Sequence, residues 1–193
     1  HNKEFWHLYG EHNVENALFA AAIAETCALS KEEIYRGLST FRAIPHRIET
    51  VDEIDGIRYI NDSKATNVDS TVRALESMDA PVLLIAGGYD KKVPFSDLFE
   101  AFKGRGKALI LMGETKYQIK EGAENAGLAD QVHLVENLSQ AVDLAETLAK
   151  KGDVVLLSPA SASWDMYPGY EARGEEFRQL VREIRIKNDR SRG

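Results

Sequence analysis

Directly behind the apolar pair Tyr59-Ile60, the chain places Asn61, Asp62, Ser63, Lys64, Thr66 and Asn67. A carboxylate, an ammonium, two hydroxyls and two amides in one short segment can bind an anion, move a proton or cap a helix. Two segments of similar character follow other apolar runs: "GGYDKK" after Ala86 and "SPASASWDMY" after Leu157. Together the three offer Asp62, Lys64, Thr66, Lys91, Ser161 and Ser163. Lysines supply charge, hydroxyls and backbone N–H groups supply directional bonds, and helix N-termini add positive dipole ends. That inventory suits a ligand bearing carboxylate or phosphate groups.

Each piece also has a plainer reading. Asn and Asp behind a strand are commonly N-caps. Gly87-Gly88 and "SPAS" read as tight turns. Lys91 and Lys92 read as solvated surface charges, His46 as a packed linker residue, and Cys27, on an alanine-rich helix face, as core. The functional reading gains weight because three such segments end three strands of one sheet. Open α/β sheets bind ligands at the carboxyl ends of their strands.

The elements that must position these residues follow from periodicity. "GEHNVENALFAAAIAETCA" has helical spacing through Leu18, Ala21, Ala22 and Ile23, with Asn13 as the expected N-cap. "SKEEIYRGLSTF" is a second helix, with Ser30 and Glu33 in capping-box spacing and an end near Phe41. Two β-rich runs, 48–51 and 57–60, flank Asp55-Gly56, a hairpin signal. Strands and helices then alternate. "PVLLIAGG", "KALILMG", "QVHLVE" and "DVVLLSPAS" read as strands. The segments beginning at Asn67 or Asp69, and "SDLFEAFKG", "ETKYQIKEGAENAG", "LSQAVDLAETLAKKG" and "YEARGEEFRQLVREIRIK", read as helices. The alternation implies an α/β domain on a mostly parallel, Rossmann-like sheet with flanking helices, preceded by a short helical segment. The expected division is residues 1–46 and 47–193. The polar tail "NDRSRG" is expected to fray.

The 193 residues carry a net charge of −7, which argues against nucleic acid or an anionic membrane as the main partner. No apolar run approaches the length of a membrane span, and the first ten residues lack the order of a signal peptide. The single cysteine leaves no intramolecular disulfide framework and fits a reducing compartment. A cytoplasmic location is therefore expected. No phosphate loop GxxxxGK[ST], no GxGxxG behind a strand, and no CxxC, HExxH or GxSxG occurs. By itself the chain holds no recognisable nucleotide site.

Five stretches, "GEHNVENALFAAAIA", "FRAIPHRIE", "INDSKATNVDST", "IAGGYDKKVPFSDL" and "SPASASWDMYPGYEARGEEF", resemble in order the C-terminal part of the Mur ligases, over roughly residues 8–183. "DSKATN" resembles the D-glutamate-adding type among them. The resemblance implies a three-domain, monomeric parent that uses ATP and magnesium in peptidoglycan precursor synthesis. The carboxylate of UDP-N-acetylmuramoyl-L-alanine would become an acyl phosphate, which the amine of D-glutamate then attacks. It implies that Asn16 lies beside the adenine and that Arg47 reaches ATP from the joint between domains. Asp62 would contact the ribose side, and Lys64 would lie near the phosphates or structure its loop. Lys64, Asp62 and Arg47 would thus form the catalytic set. Thr66, Lys91, Ser163 and Tyr170 would receive D-glutamate, Tyr170 as an aromatic wall or through a backbone group. No metal ligand is implied within the chain.

The chain departs from the family pattern at two positions. Relatives commonly carry Cys in place of Ser161, and Phe or a smaller apolar residue in place of Trp164. The phosphate loop, the magnesium ligands and the UDP-binding domain would lie upstream of His1. Residues 1–46 would then be the last helices of a central ATPase domain, and the chain a fragment inactive alone. Two other readings remain open: a Mur-type ligase for another amino acid, or a stand-alone binding module of the same fold.

Overall fold

The computed structural model describes residues 11–41 and 44–192. His1–Gly10, where no signal sequence is expected, and Arg42-Ala43 within "FRAIPHRIE" lie outside the described residues, as does Gly193. The chain divides into two compact units, residues 1–45 and 46–193.

In the first unit, α1 (Glu11–Thr26) is followed by α2 (Lys31–Thr40). The capping box is formed: Glu33 N donates to Ser30 Oγ (3.2 Å) and Ser30 N donates to Glu33 Oε2 (2.8 Å). Two expectations fail here. The first helix already runs from Glu11, so Asn13 lies within it and does not cap it. Cys27 is exposed and not core. Leu18, Phe19 and Ile23 are exposed as well. A pair of helices has no third layer of its own to bury such side chains.

The second unit opens with a hairpin of β1 (Glu49–Ile54) and β2 (Ile57–Asn61). Asp55 and Gly56 both have positive φ, 56° and 77°, as a tight two-residue hairpin turn requires. The remaining elements are α3 (Val68–Glu76), β3 (Val82–Ala86), α4 (Ser96–Lys103), β4 (Gly106–Leu111), α5 (Lys116–Asn125), β5 (Val132–Leu134), α6 (Leu138–Leu148), β6 (Val154–Leu157) and α7 (Tyr170–Arg192). The strands form one sheet in the order β1-β2-β6-β3-β4-β5, parallel except for β1. Among the described residues no helix is long and apolar enough to cross a membrane.

Strand alternation feeds two apolar layers. Leu84, Leu109 and Leu156 face α3, α4 and α5 through Leu75, Leu98, Phe102 and Ile119. Leu83, Ile110 and Val155 face α6 and α7 through Val142, Ala145, Phe177 and Val181. Central strands covered on both faces need continuous apolar sequence, which is why "VLLIA" shows no polar alternation.

The tail does not fray as expected. α7 continues to Arg192, and Asn188 Nδ2 donates to Asp55 Oδ2 at the hairpin turn (3.0 Å). One turn earlier Arg185 Nε donates to Asp52 Oδ2 (2.9 Å). These polar bonds to β1 and its turn hold a helix end that has no apolar stripe to bury.

Candidate functional site

β2, β6, β3 and β4 run parallel, so their carboxyl ends share one edge of the sheet, and the loops that follow meet there. Asp62 N donates to Leu157 O (2.7 Å), Gly87 N to Pro159 O (2.8 Å) and Tyr89 N to Ala162 O (2.9 Å). Gly88 N donates to Thr115 Oγ1 (3.1 Å), which adds the loop behind β4. Gly88 has φ 149°, and a Cβ there would collide with the Ala162 carbonyl. The glycine pair therefore permits a backbone-to-backbone approach and is more than a turn marker.

Asn67 caps α3 by accepting from Ser70 N (2.9 Å). The plainer reading thus holds for this one member of "NDSKATN". Asn61 is wholly buried and fixes the joint below. Its Oδ1 accepts from Ser63 N (3.1 Å), while Nδ2 donates to Gly174 O (3.1 Å) and lies 3.0 Å from His46 Nδ1. An amide nitrogen only donates, so His46 accepts at Nδ1 and is neutral there. Burial, reinforced by the Arg178 charge, holds the His46 imidazole below its ordinary pKa. His46 is thus packed, as the plainer reading expects. Gly174 lies against its ring, and a Cβ at Gly174 would collide with Nδ1. Gly174→Ala should therefore destabilise the protein by about 1–3 kcal/mol, although alanine favours a helix by about 1 kcal/mol. Chemical denaturation reads the sign directly.

Asp62 is 4% exposed, with both carboxylate oxygens engaged inside the protein. Oδ2 accepts from Ser158 Oγ (2.7 Å) and Oδ1 from Ile48 N (3.2 Å). Burial raises its pKa to about 6, against the pull of those two bonds and the Arg47 charge. The folded protein therefore keeps this proton to a higher pH than the unfolded chain, whose Asp titrates near pH 3.9. Ionising Asp62 costs stability between about pH 4 and pH 6, and the loss amounts to roughly 2–3 kcal/mol by pH 7. Asp62→Asn should remove that loss. The stability of the variant relative to the unsubstituted protein should rise by about that amount from pH 4 to pH 7. Parallel pH–stability curves would show that Asp62 titrates normally.

Lys64 Nζ donates to Tyr170 Oη (2.7 Å), and Lys64 N donates to His46 O (3.0 Å). Lys91 Nζ donates to Thr66 O (2.9 Å) and stands 5.6 Å from the centroid of the Trp164 ring. Ser163, 2% exposed, accepts at its carbonyl from Met166 N and Tyr167 N. Arg47 is exposed, and its charge acts on Asp62. The structure thus brings Thr66 to Lys91, Lys64 to Tyr170, and Ser163 beside the Trp164–Lys91 contact. Asn16 is exposed on α1, in the other unit. Lys92 is the ordinary surface charge, paired with Asp90 at 2.6 Å.

Sequence reasoning missed Arg173. Its guanidinium is 1% exposed and makes four hydrogen bonds: Nε to Ser63 Oγ (3.0 Å), Nη2 to Ser63 O (2.8 Å), and both terminal nitrogens to Ser161 O (3.3 Å). Burial draws its pKa down to about 10, so it stays charged at neutral pH. It ties the loop behind β2 to the loop behind β6. One signal was available: Arg173, Phe177, Val181 and Ile184 share helical spacing, which puts Arg173 on the buried stripe of α7.

A family model described as "Mur ligase, glutamate ligase domain" matches residues 46–161. The UDP-N-acetylmuramoylalanine–D-glutamate ligase of Alkaliphilus metalliredigens is 47% identical over 178 residues, which cover 92% of this chain and 39% of that relative. The enzyme of the same name from Clostridioides difficile is 45% identical over 184 residues, covering 95% and 41%. Among solved structures, the UDP-N-acetylmuramate-alanine ligase of Thermotoga maritima superposes with a TM-score of 0.69 at 17% identity. That match covers 93% of this chain and 39% of the ligase. A folylpolyglutamate synthase of Mycobacterium tuberculosis complexed with ADP and AMPPCP gives 0.68 at 18% identity, covering 88% and 41%. Likeness at such identity concerns the fold. The chain spans 39–41% of the length of the curated relatives named here. With the family model covering most of the second unit and close relatives matching over nearly the whole chain, the chain belongs to the Mur ligase family.

Proposed function

We propose that the second unit is the amino-acid-receiving domain of an ATP-dependent ligase that joins D-glutamate to UDP-N-acetylmuramoyl-L-alanine in the cytoplasm. The observation that supports this reading is the contact of Lys91 with the Thr66 carbonyl and the Trp164 ring at the carboxyl edge of the sheet, together with relatives named as that ligase at 43–47% identity. In this reading the first unit is the last part of a central ATP-binding domain. Asn16 and Arg47 then face a nucleotide held by that domain.

The substrate carboxylate attacks the γ-phosphorus of ATP, ADP leaves, and the amine of D-glutamate attacks the resulting acyl phosphate and expels phosphate. The work of this chain is positioning. The Lys91 ammonium pairs with a carboxylate of the incoming amino acid, while Thr66 and Ser163 offer hydrogen bonds. A fixed amine beside the reacting carbonyl converts a bimolecular step into a nearly unimolecular one. Lys64, half-buried against Tyr170, places a second positive charge on the rim. Asp62 faces inward and holds its loop against β6. A ribose contact would require its carboxylate to leave Ser158 and Ile48. Among the described residues no group of three or more His, Cys, Asp or Glu side chains could hold a metal ion.

The test is an amino-acid panel applied to the complete gene product with magnesium-ATP and UDP-N-acetylmuramoyl-L-alanine. Phosphate release should require D-glutamate. Release driven instead by L-glutamate, L-lysine or diaminopimelate would assign the rim to a different ligase.

A further inference from the structure

Trp164 has no part in the ligand contacts proposed for the rim. Its side chain is 65% exposed, although an indole ordinarily gains by burial. It stands at the rim against two partners. The Tyr89 ring lies 5.6 Å away, tilted by 56°. The Lys91 ammonium lies 5.6 Å from the indole centroid, within the range of cation–π attraction. The backbone between the rings is pinned, because Tyr89 pairs with Ala162 in an isolated β-bridge. Lys91 also donates to the Thr66 carbonyl. The ammonium of a long, flexible side chain thus has two contacts before any ligand arrives.

We propose that Trp164 is a positioning residue for Lys91: its π face holds the ammonium where the carboxylate of the incoming amino acid docks. The inference rests on the proposed ligase reading. Free lysine loses considerable rotamer freedom when it forms an ion pair. A lysine already confined between an indole and a carbonyl loses less, so the ligand binds more tightly for the same contact. The carboxylate replaces the Thr66 carbonyl as acceptor while the indole stays in place.

The test uses the complete gene product and steady-state kinetics in D-glutamate. Trp164→Leu should raise KM for D-glutamate about two- to fivefold with kcat nearly unchanged. Trp164→Phe, which keeps a weaker π face, should recover part of that loss. In a Lys91→Ala background, Trp164→Leu should have no further effect, because the contact it served is gone. Melting temperatures should match, since the indole is a surface group. Fully additive effects in the double variant would overturn the inference, as would an unchanged KM in Trp164→Leu beside a clear Lys91→Ala defect. Absence of D-glutamate-dependent turnover in the unsubstituted protein would overturn the ligase reading and this inference together.

Discussion

Arg173→Ala should lower the stability of the second unit by about 3–4 kcal/mol. Two opposing effects set that figure. Removing the guanidinium relieves a costly burial, which its pKa of about 10 records. Against this, the Ser63 and Ser161 carbonyls lose their donors, and an unsatisfied buried acceptor costs about 1–3 kcal/mol. The truncated side chain also leaves a cavity on the α7 stripe. The second and third effects together exceed the first. Arg173→Met fills most of the volume but restores no donor, so it should lose roughly half as much. Equilibrium denaturation of both variants measures the difference. If Arg173→Met is as stable as the unsubstituted protein, the four hydrogen bonds contribute little net stability. Arg173 would then serve only to fix the spacing of the two loops.

Lys91→Ala should reduce kcat/KM for D-glutamate about ten- to a hundredfold in the complete gene product, the loss of one charge-assisted hydrogen bond of about 1.5–3 kcal/mol. Lys91 is exposed and its present acceptor, the Thr66 carbonyl, lies at the surface edge of the loop. The fold should therefore change by less than about 0.5 kcal/mol. Stability and catalysis therefore separate cleanly at this position. Equal kinetics with alanine would make Lys91 a solvated surface charge, the plainer reading of "GGYDKK".

Sequence periodicity carried most of the fold, for reasons visible in particular elements. "VLLIA" and "VVLL" are continuous apolar runs because β3 and β6 are covered on both faces. Asp55-Gly56 fixed the hairpin because only such residues accept two positive φ values cheaply. The convergence of three strand-end loops was legible too, since parallel strands place their carboxyl ends on one edge. Other features were not legible. The helical tail depends on Asn188 and Arg185 finding partners on the hairpin, a long-range pairing without local signature. Cys27 was misjudged because alanine-rich spacing reports a helix and not what covers it. The bonds of Asp62 to Ser158 and Ile48 join residues far apart in the chain and leave no local signature. Arg173 was hidden among the charges of "EARGEEFR", even though its spacing to Phe177 and Val181 was in plain view.

If this rim receives D-glutamate for amide formation, the product records it. The most direct measurement is the mass of the product formed by the complete gene product from UDP-N-acetylmuramoyl-L-alanine, magnesium-ATP and isotopically labelled D-glutamate. One labelled glutamate should be added per uridine nucleotide, dependent on ATP and lost when L-glutamate replaces the D-isomer. An unchanged uridine nucleotide alongside ATP consumption, or equal incorporation of L-glutamate, would contradict it.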